Sequence, residues 1–268
     1  MCYQQIKQID NEKFIAYAPA KLNINLDIGE IESSGMHRIS SIMQTVSLHD
    51  VVTLDLNIND QSEISGFFVN NNIVTNAMMA LENRVQKKLY CNIRIDKSIP
   101  IAAGMGGGSS DAAAVLRLAN RAFKLGLDLT ELEEIASSVG NDVSFLIRGG
   151  RAHVSGGQTH NIVDMKPEQV YYIIARPEMK MLTKQMYELH DKTGENFTQI
   201  AARLCAQSGK LLESFNNTKP LEYGVTGKGP TVFAGYRNKK DCYNAIKTIE
   251  WFNGEIFIEH SVNKLEYK

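Results

Sequence analysis

The run IPIAAGMGGGSSDAAA at residues 99–114 constrains this chain more than any other stretch. It leaves an apolar strand-like segment and enters a helix that the spacing predicts over residues 110–125. There Val115, Leu118, Ala119, Ala122 and Phe123 recur at i, i+3, i+4, i+7 and i+8, and Gly126 follows as a stop. Gly104, Gly106, Gly107 and Gly108 let the backbone approach a ligand with no Cβ in the way. Free N–H groups at such a helix start, with the helix dipole behind them, favour an anion. Ser109 and Ser110 add hydroxyls for phosphate oxygens or a metal ion. A flexible linker is the plainer reading, but linkers do not run between a strand and a well-formed helix with alanines packed just behind.

The loop is not a Walker A sequence, because Gly108 is followed by Ser109 rather than Lys. It is not a dinucleotide fingerprint either, since Ser109 stands where the third glycine belongs. Charge narrows the ligand class further. The 29 basic and 30 acidic residues give a formal net charge of −1, which argues against a nucleic-acid partner needing a cationic stripe. With 43% hydrophobic and 22% charged residues in 268, the chain has globular composition and room for two modest domains. Cys2, Cys91, Cys205 and Cys242 lie far apart with no C-x-x-C spacing, so reduced thiols are expected rather than a zinc or redox pair. No apolar run approaches the roughly 18 residues of a membrane helix. Residues 1–14 hold no apolar stretch behind a basic start, so the expectation is a cytoplasmic enzyme with no membrane partner.

Periodicity predicts strands at 14–18, 22–28, 51–58 and 91–95, and a helix at 76–89. Thr130 and Glu133 read as a capping box for a helix that ends at Gly140. Residues 143–147 and 152–155 read as a strand pair around Gly149 and Gly150. A soft boundary falls at 156–167. Beyond it come strands at 170–175, 231–236 and 256–258, and helices at 184–190, 198–206 and 239–249. Strand pairs mixed with helices indicate an α+β fold.

Three ordered motifs carry a family resemblance. Pro100 to Ser110, P-x-x-x-G-x-G-G-G-S-S, is similar to the ATP loop of the GHMP kinases. Gly140-Asn141-Asp142-Val143 stands where those kinases carry a catalytic aspartate. Thr226-Gly227-Lys228-Gly229-Pro230 resembles their third glycine motif. The opening Pro19-Ala20-Lys21-Leu22-Asn23, with Gly35-Met36-His37-Arg38, resembles the branch that phosphorylates 4-diphosphocytidyl-2-C-methyl-D-erythritol. The resemblance implies a two-domain fold: residues 1–160 as a ribosomal-protein-S5-like ATP-binding and catalytic domain, and 161–268 as a ferredoxin-like α/β sandwich that binds substrate.

It also implies roles for individual residues. Lys21 and Asp142 would be catalytic, with Asp142 accepting the proton of the attacking alcohol and Lys21 orienting it. Pro100, Ile101, Ala102, Ala103, Gly104, Met105, Gly106, Gly107, Gly108, Ser109 and Ser110 would wrap the phosphates of ATP, with Mg²⁺ bridging them. Asn72 would lie near the adenine, although a polar turn explains it equally well. Asn23, Met36, His37, Tyr187, Thr226 and Gly227 would meet the cytidyl diphosphate sugar-alcohol substrate. His37 would hydrogen-bond the cytosine and Tyr187 would stack on it. A tyrosine on a helix also reads simply as core.

The chain departs from the family pattern in several places. Met36 replaces a stacking tyrosine, and Ala102-Ala103 replaces a more glycine-rich start of the loop. Ser144 replaces a proline, and Lys228 stands where a small residue is usual; a lysine there could reach a phosphate or simply face water, and it is read as facing solvent. Rival readings are a homoserine-type or mevalonate-type kinase and a non-catalytic sensor of the same fold. The Pro19–Asn23 opening with His37 disfavours the first, and the retained Lys21 and Asp142 disfavour the second. The protein is expected as a monomer or weak homodimer.

Overall fold

The computed structural model describes residues 6–33, 35, 37–56, 63–66, 72–157 and 160–264. The chain begins with β1 (Ile6–Gln8), β2 (Lys13–Asn23), β3 (Asp27–Ile31), β4 (His37–Asp55) and β5 (Glu63–Gly66). There follow α1 (Asn72–Val85), β6 (Asn92–Asp96), α2 (Gly107–Ala122), α3 (Leu129–Val139) and α4 (Asn141–Arg148). A hairpin, β7 (Arg151–Gly156) and β8 (His160–Asp164), leads to β9 (Tyr171–Arg176), α5 (Thr183–Thr193), α6 (Phe197–Leu204) and α7 (Ala206–Asn216). The chain closes with β10 (Glu222–Val225), β11 (Val232–Tyr236), α8 (Lys239–Ile246) and β12 (Glu255–His260).

Two sheets form among the described residues. The first runs β1-β2-β4-β6-β5, with β3 and the β7–β8 hairpin also joined to β4; the second runs β10-β11-β9-β12. The expected α+β class therefore holds. Strand β4 is the spine of the first sheet, pairing with β2, β3, β6 and β7 along its length. Only its last part, from Val51, was legible in the sequence. The preceding stretch of β4 is polar-rich and buried on both faces (Ser41, Gln44, Thr45 and Ser47 are all under 9% exposed), so it shows no period-two alternation.

Alanines set the spacing between β2 and the helix above it. Ala16 and Ala18 of β2 and Ala112, Ala113 and Ala114 of α2 are all fully buried in one apolar core. With no side chain beyond Cβ, strand and helix approach closely, and this brings the start of α2 down onto Lys21. The guanidinium of Arg117, also buried, donates to the carbonyls of Leu146 (2.6 Å) and Ile147, near the C-terminus of α4. It satisfies groups that a helix end leaves open.

Several elements differ from the sequence expectation. Residues 143–147 are the helix α4, not a strand, and every one of them is buried. A short segment packed against α2 and α3, with five consecutive residues buried, loses its helical period and reads as an apolar β run. The capping box lies two residues earlier than expected: Asp128 accepts from the Glu131 N–H (2.9 Å) and Glu131 accepts from the Asp128 N–H (3.0 Å). The helix expected at 76–89 spans Asn72–Val85, and the strand expected at 22–28 is interrupted at 24–26. Helix α7 and strands β8 and β10 had no counterpart in the expectation. Cys91, Cys205 and Cys242 are buried free thiols, as anticipated, and Cys2 lies outside the described residues.

Candidate active site

The glycine loop forms the wall between two cavities. One, of about 450 Å³, is lined by Pro100 through Ser109 together with Ile73, Ile95, Lys97 and Asp111. The other, of about 530 Å³, is lined by Lys21, Asn23, Asp142, Tyr187, Gly227 and Lys228 among others. Gly104, Gly106 and Ser109 face both.

Backbone geometry makes the loop possible. Gly106 precedes α2 at φ 69°, with no side-chain cap, so the first N–H groups of the helix are left to an external acceptor. A Cβ on Gly106 would lie 3.0 Å from the Lys21 side chain, so the glycine also makes room for the lysine. Gly104 adopts φ +78° and packs against the third glycine motif; a Cβ there would come within 2.3 Å of the Thr226 carbonyl oxygen.

Lys21 is held by three groups. Its backbone N–H donates to the Met105 carbonyl at 3.0 Å, which ties β2 to the loop. Its ammonium donates to Asn23 Oδ1 at 2.6 Å and lies 3.1 Å from Asp142 Oδ2. The lysine side chain is 5% exposed and the aspartate 31%, so the pair is anchored inside and open toward the cavity. Asp142 stands in the first turn of α4, where the helix dipole favours a carboxylate. Gly140 ends α3 and begins α4, and this break in direction turns Asp142 toward Lys21.

Asn23 organises the remainder. Its Oδ1 also accepts from the Gly227 N–H (3.0 Å), its Nδ2 donates to Ser41 Oγ (2.9 Å), and its N–H donates to Thr226 Oγ1 (3.1 Å). Thr226, fully buried, in turn donates to the Gly104 carbonyl at 3.2 Å. The first motif, the glycine loop and the third motif thus close on one another through Asn23 and Thr226. Thr226 is absent from the cavity wall; it locks the wall in place. Ser110 behaves similarly. Its hydroxyl donates to the Pro19 carbonyl at 2.7 Å and is fully buried, so it fastens α2 to β2, while Ser109 faces the cavities.

Sequence reasoning missed the charged cluster behind the loop. Lys97 donates to Asp50 Oδ2 (2.5 Å) and to Asp111 Oδ2 (2.6 Å), and Asp50 Oδ1 accepts the backbone N–H groups of Ser98 and Ile99. Burial works to lower the Lys97 ammonium, yet Asp111 and Asp50 together hold it above the usual lysine range. Burial pushes the Asp111 carboxyl up to about 7 against the pull of Lys97, and nearby Asp50 adds to the rise. Asp111 Oδ1 is buried without a hydrogen-bond partner. No motif marks Lys97, which follows β6 as an isolated charge.

The structure brings two of the expected base-site residues together. His37 lies flat on Tyr187, with ring centroids 4.9 Å apart and planes 17° from parallel. The two residues are therefore brought together, but on each other. The His37 Nδ1 is 3.0 Å from the Gly29 carbonyl and Nε2 is 3.3 Å from Asp191, so a hydrogen bond from Nε2 to a base would replace the Asp191 contact. Burial, with Asp142 nearby, raises the Tyr187 hydroxyl above its usual range. Met36 lies outside the described residues; Asn72 opens α1, and its side chain is likewise outside them. Lys228 is half-buried along the second cavity and donates to the exposed Thr183 Oγ1 at 2.7 Å. Among the described residues no group of three or more His, Cys, Asp or Glu side chains could hold a metal ion, and no helix is long and apolar enough to cross a membrane.

Comparison with known proteins gives the family and the fold. The family described as GHMP kinases N terminal domain matches residues 72–154. A 4-diphosphocytidyl-2-C-methyl-D-erythritol kinase from Bacillus cytotoxicus is 33% identical over 277 residues, covering 91% of this chain and 96% of that protein. One of the same name from Listeria innocua is 32% identical over 265 residues, covering 86% and 91%. The crystal structure of a 4-(cytidine 5'-diphospho)-2C-methyl-D-erythritol kinase shares the fold with a TM-score of 0.76 at 20% identity, covering 93% of this chain and 99% of that one.

Proposed function

The chain belongs to the 4-diphosphocytidyl-2-C-methyl-D-erythritol kinase family, and we propose that it phosphorylates the 2-hydroxyl of 4-diphosphocytidyl-2-C-methyl-D-erythritol from ATP, in the non-mevalonate route to isoprenoid precursors. The observation that carries this reading is the Lys21–Asp142 pair, open to a cavity that shares the glycine loop with a second cavity. A phosphoryl group held by the loop can be approached from the opposite side by an alcohol beside Asp142.

In that reading the N–H groups at the start of α2 and the backbone of residues 104–109 hold the phosphates. Ile73, Ile95 and Ile101 give the nucleotide cavity an apolar wall for the adenine. Asp142 takes the proton of the 2-hydroxyl as its oxygen bonds to the terminal phosphorus and the bond to the bridging oxygen breaks, releasing ADP. Lys21 orients Asp142 and stabilises negative charge as it develops. Asn23 fixes the Lys21 ammonium. Mg²⁺ would enter on the phosphates of ATP and neutralise their charge, in keeping with the absence of a multi-carboxylate cluster among the described residues. Tyr187 and His37 would receive the cytosine end.

Residues 1–160 would form the nucleotide-binding and catalytic part and 161–268 would complete the acceptor side. Because ATP and a charged cytidyl diphosphate are solutes of the cytoplasm, the enzyme is placed there, as a monomer or weak homodimer without nucleic-acid or membrane partners. The test is ADP release by the purified protein with ATP, Mg²⁺ and the cytidyl substrate, with phosphorus NMR to locate the new phosphate. Turnover of homoserine or mevalonate in preference to the cytidyl compound would overturn the assignment.

A further inference from the structure

Lys228 is a cation in the acceptor cavity that the chemistry above does not use. The wall of that cavity carries two ammonium groups, Lys21 and Lys228, and one carboxylate, Asp142. Lys21 is committed to Asp142 and Asn23. Lys228 has a different setting. Its partner is the neutral Thr183 hydroxyl at 2.7 Å, and among the described residues no carboxylate pairs with it. The bond is exposed, so an ammonium held by a neutral hydroxyl alone on the cavity wall is free to take an anionic ligand.

The position of Lys228 says which anion. It is absent from the wall of the nucleotide cavity, which places it on the acceptor side of the glycine loop. Thr183 is the first residue of α5, whose N-cap supplies no side-chain hydrogen bond and whose first turn holds no acid, so the positive end of that helix faces the same region. Tyr187 lies one turn further along α5, about 6 Å in rise from Thr183. The anchor of Lys228 therefore stands one turn of helix from the ring that would meet the base, in the same cavity as the reacting pair.

We propose that Lys228 binds the diphosphate of the acceptor substrate and so adds to the affinity for acceptors in which a nucleoside diphosphate carries the alcohol. This rests on the kinase reading above. With the base at Tyr187 and the alcohol at Asp142, the two phosphates lie between them. Lys228 supplies a charge-assisted hydrogen bond, and the open N–H groups of α5 add to it.

The experiment compares binding of CDP and of cytidine by calorimetry, which needs no turnover. The wild type binds CDP more tightly than cytidine. Lys228→Met removes the charge while keeping the length of the side chain; it weakens CDP by about 10–100-fold, leaves cytidine unchanged, and raises KM for the cytidyl substrate without moving KM for ATP. Lys228→Arg restores most of the CDP affinity, which separates loss of charge from misfolding. An unchanged ratio of CDP to cytidine affinity in Lys228→Met, or a shift in KM for ATP instead, overturns the proposal. If the wild type fails to phosphorylate the cytidyl substrate, the activity assignment falls while the CDP measurement still decides the role of Lys228.

Discussion

The ammonium of Lys21 touches both an amide oxygen and a carboxylate, and its side chain is almost wholly enclosed. A lysine held so tightly has little freedom to serve as a solvated strand residue, and its charge acts at one point. Asp142→Asn keeps the shape of this pair and removes the base, so kcat should fall by about 10²–10⁴-fold while an ATP analogue still binds. Stopped-flow turnover and nucleotide titration would check the two halves separately. Asp111 offers a test of a different kind. In the folded chain its carboxyl holds a proton up to about pH 7, whereas an unfolded aspartate loses it near 3.9. Between those values the folded state binds the extra proton. The stability Asp111 contributes is therefore complete below about pH 4 and is lost as pH rises through about 7. Asp111→Asn should flatten that slope and raise the melting temperature at pH 8 relative to wild type, as a thermal series across pH 5–8 would show. Motif spacing marked Lys21 and Asp142 because each stands in a patterned stretch. It could not mark Lys97, whose partner Asp50 is distant in sequence and meets it only when β4 and β6 pair.

At the scale of elements, the glycine loop and α2 were the most legible parts, and the reason is local. A helix with a regular apolar face behind a run of glycines needs no distant partner to be recognised. What the loop docks against was not visible. Gly104→Ala places a Cβ at a positive φ and within 2.3 Å of the Thr226 carbonyl, so both strain and a clash follow. The expected cost is about 2 kcal/mol or more, with KM for ATP raised. Gly126→Ala meets the positive φ alone, since nothing lies within 4 Å, and should cost about 1–2 kcal/mol with kinetics intact. Chemical denaturation and steady-state kinetics on the two variants separate the effects. Helix α4 went unread for the opposite reason. Its five consecutive buried residues erase the polar face that a helix pattern depends on.

Over the whole molecule, the two sheets are joined by a few buried polar links. Arg151 of β7 makes a two-point contact with Glu222 of β10 (3.1 and 2.7 Å), and Tyr172 of β9 donates to the same carboxylate at 2.5 Å. The hydrogen bond from Arg151 to Glu222 raises the guanidinium above its usual range. Burial and the Glu222 charge raise the Tyr172 hydroxyl well above its own. The chain after β12 returns to β4, where Val262 donates to the Thr45 carbonyl at 2.9 Å and accepts from Gln44 Nε2 at 3.0 Å. Arg151→Met strands Glu222 between the sheets and should cost on the order of 3 kcal/mol, whereas Arg151→Met with Glu222→Leu should recover most of it. Equilibrium unfolding of the single and double variants checks this. The sequence by itself determined the α+β class, the glycine loop ahead of its helix, the family and the Lys21–Asp142 pair, because short motifs and helix periodicity are local properties. Tertiary structure alone decided that the loop is the common wall of two cavities, that Thr226 and Ser110 brace the site rather than line it, that His37 stacks on Tyr187, and that Lys228 turns into the acceptor cavity. These depend on residues up to 204 positions apart, as in the bond from Gly227 to Asn23, and such pairings exist only once the sheets have brought the segments together.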